Sequence, residues 1–471
     1  MKVNKEELFQ SIPPADERAA KKALDRARDS FNRKIVVLDD DPTGVQTVNG
    51  IDVYTDWSEE SIKSGFDDEH SMFFILTNSR AFSAEKTTEE HRKMAERILR
   101  VSKDTGKDFI LISRSDSTLR GHYPLETQVL KDTLEGGGKK IDGEVLMPFF
   151  KEGGRFTIGD IHYVQEGDDL VPAGKTEFAK DKTFSYTKSN LAEYIEEKTK
   201  GAYRADDVIC ISLADLRAVD VDGIKEQLME VKDFHKVIVN AVDYVDVEVF
   251  AAAMMMALSE GKQFLFRSAA ALTKVMGGVP DKPLLGRDEL VVPGNTNGGL
   301  IIIGSHVKKT TQQFESLKEL GTVKFIEFNH MLVLQPEKLE VELKRVVAEA
   351  EAAMKTGQTV AVYTGRERYD AGNEEESLAV SVKISEAITS IPRRLSIQPA
   401  FIIAKGGITS SDVGTKGLQV KRALVLGQVA PGIPVWKTGS ESTFPGMSYI
   451  IFPGNVGAVT TLRDIVKMLS E

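Results

Sequence analysis

The chain is poor in the residues that cross-link a protein or carry it through a membrane. Cys210 is its one cysteine in 471 residues. No disulfide can form within the chain, and such usage suits a reducing compartment. Cys210 lies in Val208–Leu213, VICISL, which reads as a core strand, so packing is its expected role. The seven histidines show no HxxxH or HxxH spacing, and CxxC does not occur. A structural zinc site is therefore disfavoured, and no residue is assigned to a metal. Lysine and arginine number 61 against 71 aspartates and glutamates, a net charge of −10, which disfavours a nucleic-acid partner. The longest apolar run, Val249–Leu258, is too short to span a bilayer and reads as a buried helix. MKVNKEELFQ at the start has no apolar signal-peptide core. The expectation is a cytoplasmic protein without a membrane partner. There is no GxxxxGK[ST] and no full GxGxxG. No internal repeat or low-complexity segment is detectable.

What is present is a soluble composition, 41% hydrophobic and 28% charged, in a chain too long for one ordinary core. Residues 1–33 read as a helical extension, with Pro13-Pro14 opening a charged helix over Ala15–Phe31 that packs on a domain or a partner subunit. From Lys34 apolar runs alternate with helical patterns. Strands are expected at Lys34–Leu38, Ile51–Tyr54, Met72–Leu76, Phe109–Ile112, Val145–Met147, Val208–Ile211, Val237–Val239 and Gln263–Phe266. Helices are expected at Lys86–Val101, Glu126–Leu134, Ser189–Lys200, Leu216–Val231 and Val245–Ser259. Residues 151–188 break this rhythm and read as a long excursion over a sheet edge. Residues 277–298 concentrate Gly, Pro and Asn and mark a domain boundary. A second series follows, with strands at Leu300–Ile303, Val323–Glu327, Met331–Leu334, Val360–Tyr363, Phe401–Ala404, Ala423–Leu426 and Ser448–Phe452. Its helices are Thr310–Leu320, Pro336–Lys355, Glu374–Thr389 and Thr460–Ser470. Strands spaced by helices imply βαβ units. The fold class is α/β, with two domains, 34–285 and 286–471, each a mostly parallel sheet flanked by helices.

The polar residues gather at predicted strand ends, where open α/β sheets bind ligands. Lys34–Leu38 runs into Asp39, Asp40 and Asp41 and the turn Pro42-Thr43-Gly44. Three adjacent acids need an offset: a polyhydroxylated substrate, a cation or an arginine. A second cluster is Thr77-Asn78-Ser79-Arg80. The third, Arg114-Ser115-Asp116-Ser117-Thr118-Leu119-Arg120-Gly121-His122, holds two arginines that can fork onto a carboxylate or phosphate. Asp116, Ser117 and Thr118 can bind sugar hydroxyls or simply cap a helix. Pro148–Arg155 adds Arg155 on a Gly-rich turn. The second half offers glycines at strand ends: Gly304-Ser305-His306 leading to Thr310 and Gln313, Gly406–Ser410, Gly427–Gly432 and Phe452–Gly457. Such turns let phosphates approach backbone N–H groups. Acids and arginines in one domain and glycines in the other suit phosphoryl transfer from a nucleotide to a hydroxyl, in a cleft between the domains.

These motifs resemble the four-carbon acid sugar kinase family, whose members phosphorylate acids such as threonate, erythronate and 3-oxo-tetronate with ATP. Asp40–Gly44 matches its ADDxTG element. Arg114–Gly121 matches KxDSTLRG with Arg114 in place of lysine. Gly304–Gln313, Gly406–Ser410, Pro431–Pro434 and Pro453–Gly457 resemble its later elements. The resemblance implies an N-terminal domain for the acid sugar and a C-terminal domain for ATP with Mg2+, their shared active site lying in the cleft. It implies catalytic roles for Asp40, Asp41, Asp116 and Arg120, and substrate contacts from Thr43, Arg114, Ser117, Thr118 and Arg155. Ser305, Thr310, Gln313, Gly406, Gly407, Thr409, Gly432, Gly454, Asn455 and Gly457 would line the nucleotide site. Ile408 stands where the family usually has an acid. Phe452 stands in place of a lysine, Pro453 in place of a serine, and Asp181–Phe184 where a DPxxP element is common. Lys437–Met447 is unlike the usual pattern. A branched acid such as 3-oxo-isoapionate is a further substrate option, and homo-oligomerisation is left open. Two rival readings stand beside the kinase. Asp39-x-Asp41-x-Thr43 fits the DxDxT phosphatase motif of the haloacid dehalogenase superfamily, and a non-catalytic sensor would bind the same sugar acid and nucleotide.

Overall fold

The computed structural model describes residues 2–365 and 374–471. The chain forms two compact units, Met1–Gly44 with Asp56–Pro280, and Val45–Thr55 with Asp281–Glu471. In chain order the first strands are β1 (Val3–Asn4), β2 (Lys34–Asp39), β3 (Ile51–Tyr54), β4 (Met72–Leu76), β5 (Phe109–Arg114) and β6 (Gly143–Met147). Then come β7 (Arg155–Ile158), β8 (Ile161–Glu166), β9 (Asp169–Pro172), β10 (Ile209–Ile211), β11 (His235–Val239) and β12 (Phe264–Ser268). The rest are β13 (Leu300–Ile303), β14 (Lys324–Phe328), β15 (Val360–Thr364), β16 (Ile402–Lys405), β17 (Arg422–Ala430), β18 (Ile433–Thr438) and β19 (Ser448–Phe452).

The main sheet of the first unit has the order β10-β11-β6-β12-β5-β2-β4 and is parallel throughout. Every residue of β2, β4, β5, β6 and β12 is buried. That is why these strands read as continuous β-branched and apolar runs rather than alternating ones. The helix Tyr244–Ser259 is buried almost all round. The extension packs on it through the helix Glu17–Ser30, which buries Ala20, Leu24 and Ala27. Residues 151–188 supply β7, β8 and β9 to a second, antiparallel sheet of order β1-β9-β8-β7, whose outer strand β1 comes from the N-terminal extension.

In the second unit the order runs β3-β17-β18-β19-β16-β13-β15-β14. From β19 to β14 the pairing is parallel, and β3, β17 and β18 add antiparallel strands at the other side. Ile301, Phe314, Ile403, Ile450 and Leu462 share its core. Ile51–Tyr54, which follows the first acidic turn in sequence, pairs with β17 here, and Asp52 forks with Arg422 at 3.0 and 2.5 Å.

Two expected elements differ, and the strand β18 was not expected. Met331–Leu334 is part of a 3-10 turn, His330–Leu334, not a strand. The Asn329 side chain accepts from Met331 N, and Met331 and Leu334 are exposed, so this apolar run has no sheet to join. Leu216–Val231 is two helices, Leu213–Arg217 and Val221–Met229, broken where Val219 turns to φ 54° and Asp220 caps the second helix. The strand β18 lies in a stretch where Pro434 argues against one. Its antiparallel pairing with a bulged β17 accommodates the proline.

Candidate functional site

In the first unit the parallel register sets Asp39 beside Leu76 and Arg114, and Arg114 beside Ser268, at one edge of the sheet. The three acids after β2 are each tied down differently. Arg114 Nη1 donates to Asp39 Oδ1 at 2.8 Å and to Asp40 Oδ1 at 3.4 Å. Arg80 forks onto Asp40, with Nε 3.2 Å from Oδ2 and Nη2 2.6 Å from Oδ1, and its Nη1 reaches Asp41 Oδ2 at 3.1 Å. Asp41 Oδ1 accepts from the backbone and hydroxyl of Thr43 at 2.8 and 2.5 Å. Burial pushes the Asp39 carboxyl up to about 7 despite Arg114, and it raises Asp40 as well. Burial opposes the charge on Asp41 too, but Arg80, Arg114 and Thr43 outweigh it and hold that carboxyl below its ordinary value.

Asp116 is the fourth acid. Arg120 Nε donates to its Oδ2 at 2.7 Å, and Thr118 Oγ1 donates to the same oxygen. Burial is overcome by Arg80 and Arg120, which keep Asp116 well below the usual carboxylate range. Among the described residues no hydrogen bond reaches its Oδ1. Arg155, at the start of β7, is half-buried with its Nε unpartnered, and burial works against its charge while Asp116 supports it. Arg120 and Arg155 both lie over the Phe178 ring, at 5.1 and 5.7 Å. Three guanidinium groups thus act on one ionised carboxylate that has an oxygen to spare.

The loop that carries this acid is held by its carbonyls. His162 Nε2 donates to Ser117 O at 2.8 Å, Tyr186 Oη to Thr118 O at 2.7 Å, Tyr194 Oη to Leu119 O at 2.9 Å and Arg267 Nη2 to Arg120 O at 3.2 Å. Four consecutive carbonyls are fixed by four side chains, and Leu119 is held at φ 68°. Arg267 Nη1 also pairs with Glu126 Oε2 at 2.8 Å, and Ser79 Oγ donates to Glu126 Oε1 at 2.6 Å. Gly121, at φ 115°, leaves room for Arg267, since a Cβ there would stand 2.9 Å from Nη2.

In the second unit the ends of β13, β16 and β19 lie together, with Gly406 at φ 124° packed on Ser305 and Thr409. Thr310 Oγ1 donates to Gly454 O at 3.4 Å and to Ser305 Oγ at 3.4 Å. Gln313 is buried, and its Nε2 donates to Val456 O at 3.0 Å and Ala458 O at 2.8 Å. It therefore holds the Gly454–Gly457 loop rather than facing a ligand. A Cβ on Gly432 would stand 3.1 Å from Val456, so the β17–β18 turn joins the same cluster. Gly407 has open space, and Asn455 is exposed. All ten predicted residues of this half thus sit in one cluster. The predicted set of the first half, Asp40, Asp41, Thr43, Arg114, Asp116, Ser117, Thr118, Arg120 and Arg155, likewise falls on one network. Within it Ser117 contributes its backbone carbonyl to the His162 bond.

Residues 35–276 match the family model of a sugar-binding N-terminal domain, and residues 300–462 match that of a nucleotide-binding C-terminal domain. The chain belongs to the four-carbon acid sugar kinase family. Among solved structures, a Salmonella typhimurium LT2 protein provisionally named a tRNA synthase is similar at 17% identity and a TM-score of 0.65, over 91% of this chain and 98% of that one. A Haemophilus influenzae protein of a family of unknown function is similar at 19% identity and a TM-score of 0.59, over 92% and 100%. These two share the fold. A comparison with curated proteins returned no match.

In this family member, sequence reading missed Arg267, Glu126, His162, Tyr186 and Tyr194 as supports of the Ser117–Arg120 loop, and Lys405 in the domain that matches the nucleotide-binding model. Arg80 was visible as part of a polar strand end, but not as the partner of Asp40. Among the described residues no group of three or more His, Cys, Asp or Glu is placed to hold a metal ion, and no helix is long and apolar enough to cross a membrane.

Proposed function

We propose that the chain is an ATP-dependent kinase of a small sugar acid, a four-carbon acid such as threonate, erythronate or 3-oxo-tetronate or a branched relative such as 3-oxo-isoapionate. The observation that carries this reading is the free Oδ1 of Asp116 beside Arg120 and Arg155. An ionised carboxylate with one unoccupied oxygen suits a substrate hydroxyl, and two guanidinium groups suit a substrate carboxylate. Asp116 would accept the hydroxyl proton as that oxygen attacks the γ-phosphorus. The bond from that phosphorus to the bridging oxygen breaks, and ADP leaves. Asp40 and Asp41, both paired with Arg80, would shape the site rather than take the proton. Mg2+ is expected to arrive with the nucleotide phosphates, its usual ligands, rather than in a cage of protein carboxylates. The ten residues of the second unit suit phosphates, offering glycine turns, hydroxyls and amides and no carboxylate.

The phosphatase reading needs Asp39 as nucleophile. That residue is 1% exposed, with one oxygen on Arg114 and the carboxylate shut against Gly44, which argues against it. The test is turnover of Asp116→Asn with Mg·ATP and the acid substrate. The expected result is a fall in kcat of about 10²–10⁴-fold with little change in KM for ATP. Unchanged kcat would contradict the assignment.

A further inference from the structure

We infer that the N-terminal extension is a positioning element of the acid-sugar site, with Lys5 and Phe9 backing the sheet that presents Arg155. The inference rests on the kinase reading above. The extension precedes the stretch that matches the sugar-binding model, residues 35–276, so the family match assigns it no role. It meets the antiparallel sheet in two ways. At the edge Val3 pairs with Leu170 and Asn4 with Asp169, and Lys5 N donates to Asp168 O at 3.0 Å. On the face the helix Lys5–Gln10 sets Phe9 edge-on to Phe156, with ring centroids 5.2 Å apart. Lys5 Nζ lies 5.3 Å from the Phe9 centroid and 5.1 Å from that of Phe156, and it donates to Gln165 Oε1 at 3.1 Å.

Side chains alternate across a strand, so the two faces of this sheet meet different partners. In β7, Phe156 points to the face that Phe9 covers, and Arg155 and Thr157 point to the opposite one. There Arg155 acts on Asp116 and lies over the Phe178 ring. Thr157 bonds His162, its neighbour in register on β8, and His162 Nε2 holds Ser117 O. Gln165 carries the Lys5 contact to the start of β7. Its backbone N donates to Gly154 O at 2.8 Å, and a Cβ on Gly154 would stand 2.8 Å from its own Cβ. Gly154, at φ 71°, directly precedes Arg155. Among the described residues no hydrogen bond holds the Arg155 guanidinium, and its Nε is buried without a partner. The placement of that group therefore depends on where β7 lies. Phe156 is 2% exposed, and the half-buried Phe9 is part of what shields it. Loss of this backing shifts Arg155 and His162 together, and with His162 the Ser117–Arg120 loop.

The experiment compares the full chain with its Phe9→Ala, Phe9→Leu and Lys5→Pro variants. Lys5 is the first residue of its helix and Asn4 is extended at ψ 131°, so proline fits there and removes only the donor to Asp168 O and the lysine head. Two readouts are taken. One is hydrogen exchange, by mass spectrometry, over residues 154–166 and 116–123. The other is the KM for whichever of threonate, erythronate, 3-oxo-tetronate and 3-oxo-isoapionate the wild type phosphorylates. Phe9→Ala and Lys5→Pro are expected to raise the acid's KM about three- to tenfold, the share of one aromatic pair, and to leave the KM for ATP unchanged. Both segments are expected to exchange faster, while residues 300–364 keep their wild-type rates. Phe9→Leu, which retains an apolar contact, is expected to recover most of both effects. Unchanged exchange over residues 116–123, an unchanged acid KM, or equal rises in both KM values would overturn the inference. The two disruptive variants act through different contacts, so misfolding of one leaves the other to decide. A wild type that phosphorylates none of the four acids would overturn the kinase reading, and the exchange over residues 116–123 would still decide whether the extension holds the loop.

Discussion

The carboxylate of Asp39 occupies the space that a side chain on Gly44 would need: a Cβ at Gly44 would stand 2.1 Å from Oδ2 and 2.2 Å from Oδ1. The turn after β2 is closed by Gly44 N donating to Asp41 O at 2.9 Å, so the glycine cannot retreat without moving Asp41. Gly44→Ala is therefore expected to displace Asp39 from Arg114 and disturb the acids beside it. The expected cost is about 1–3 kcal/mol of stability, typical of overpacking a closed site, with a loss of turnover larger than that figure explains. Denaturant unfolding and steady-state kinetics on the same preparation check this. A variant with wild-type values in both would show that the turn is adaptable.

Arg80 is the hub of the acid cluster. Its removal leaves Asp40, whose side chain is 3% exposed, without its forked partner. Arg80→Ala is expected to cost about 3–5 kcal/mol, the penalty for breaking a buried ion pair. Arg80→Lys should recover only part, since an ammonium cannot fork. The pH profile should change as well. Asp41 and Asp116 are held below the ordinary value of 3.8. Their contribution is present above that value and is lost as pH falls through their lowered folded values. In Arg80→Ala that acid-induced loss should shrink. Equal acid sensitivity in wild type and variant would contradict the assignment.

His162 is fully buried, accepts from Thr157 Oγ1 at 3.0 Å through Nδ1 and holds Ser117 O through Nε2–H. Burial lowers its pKa from 6.5 to about 4. The unfolded chain thus binds more protons in that window, and the stability His162 contributes is full above pH 6.5 and lost as pH falls towards 4. His162→Gln should flatten stability against pH between those values relative to wild type. It should also weaken acid-substrate binding, because the Ser117–Arg120 loop loses a support. Parallel pH curves for the two proteins would rule out this role.

Much of this was legible in the chain because it is local. The acids and arginines stand in short runs directly after buried strands, and Gly406 and Gly454 directly follow β16 and nearly follow β19. What was hidden is non-local. Arg80 meets Asp40 across 40 residues, Tyr194 meets Leu119 across 75, and Arg267 meets Glu126 across 141. No periodicity reports such pairs. Lys405 looked like the polar end of a strand, and only its register opposite Phe452 puts its ammonium under the Pro453–Gly454 loop. Ile51–Tyr54 has the composition of any buried strand, so the sequence could not say that its partner is β17. Met331–Leu334 was misread because a short apolar run carries no sign of whether a neighbouring strand exists to pair with it.

The most direct test of the central claim is product analysis. The full chain would be incubated with Mg·ATP and each member of a panel of four-carbon and branched sugar acids, with ADP followed by a coupled assay and the acid by mass spectrometry and ³¹P NMR. The expected result is one acid that gains a phosphoryl group in step with ADP formed, in wild type and not in Asp116→Asn. ADP that binds tightly while no acid in the panel is phosphorylated, or phosphate released without nucleotide and trapped on Asp39, would contradict the account.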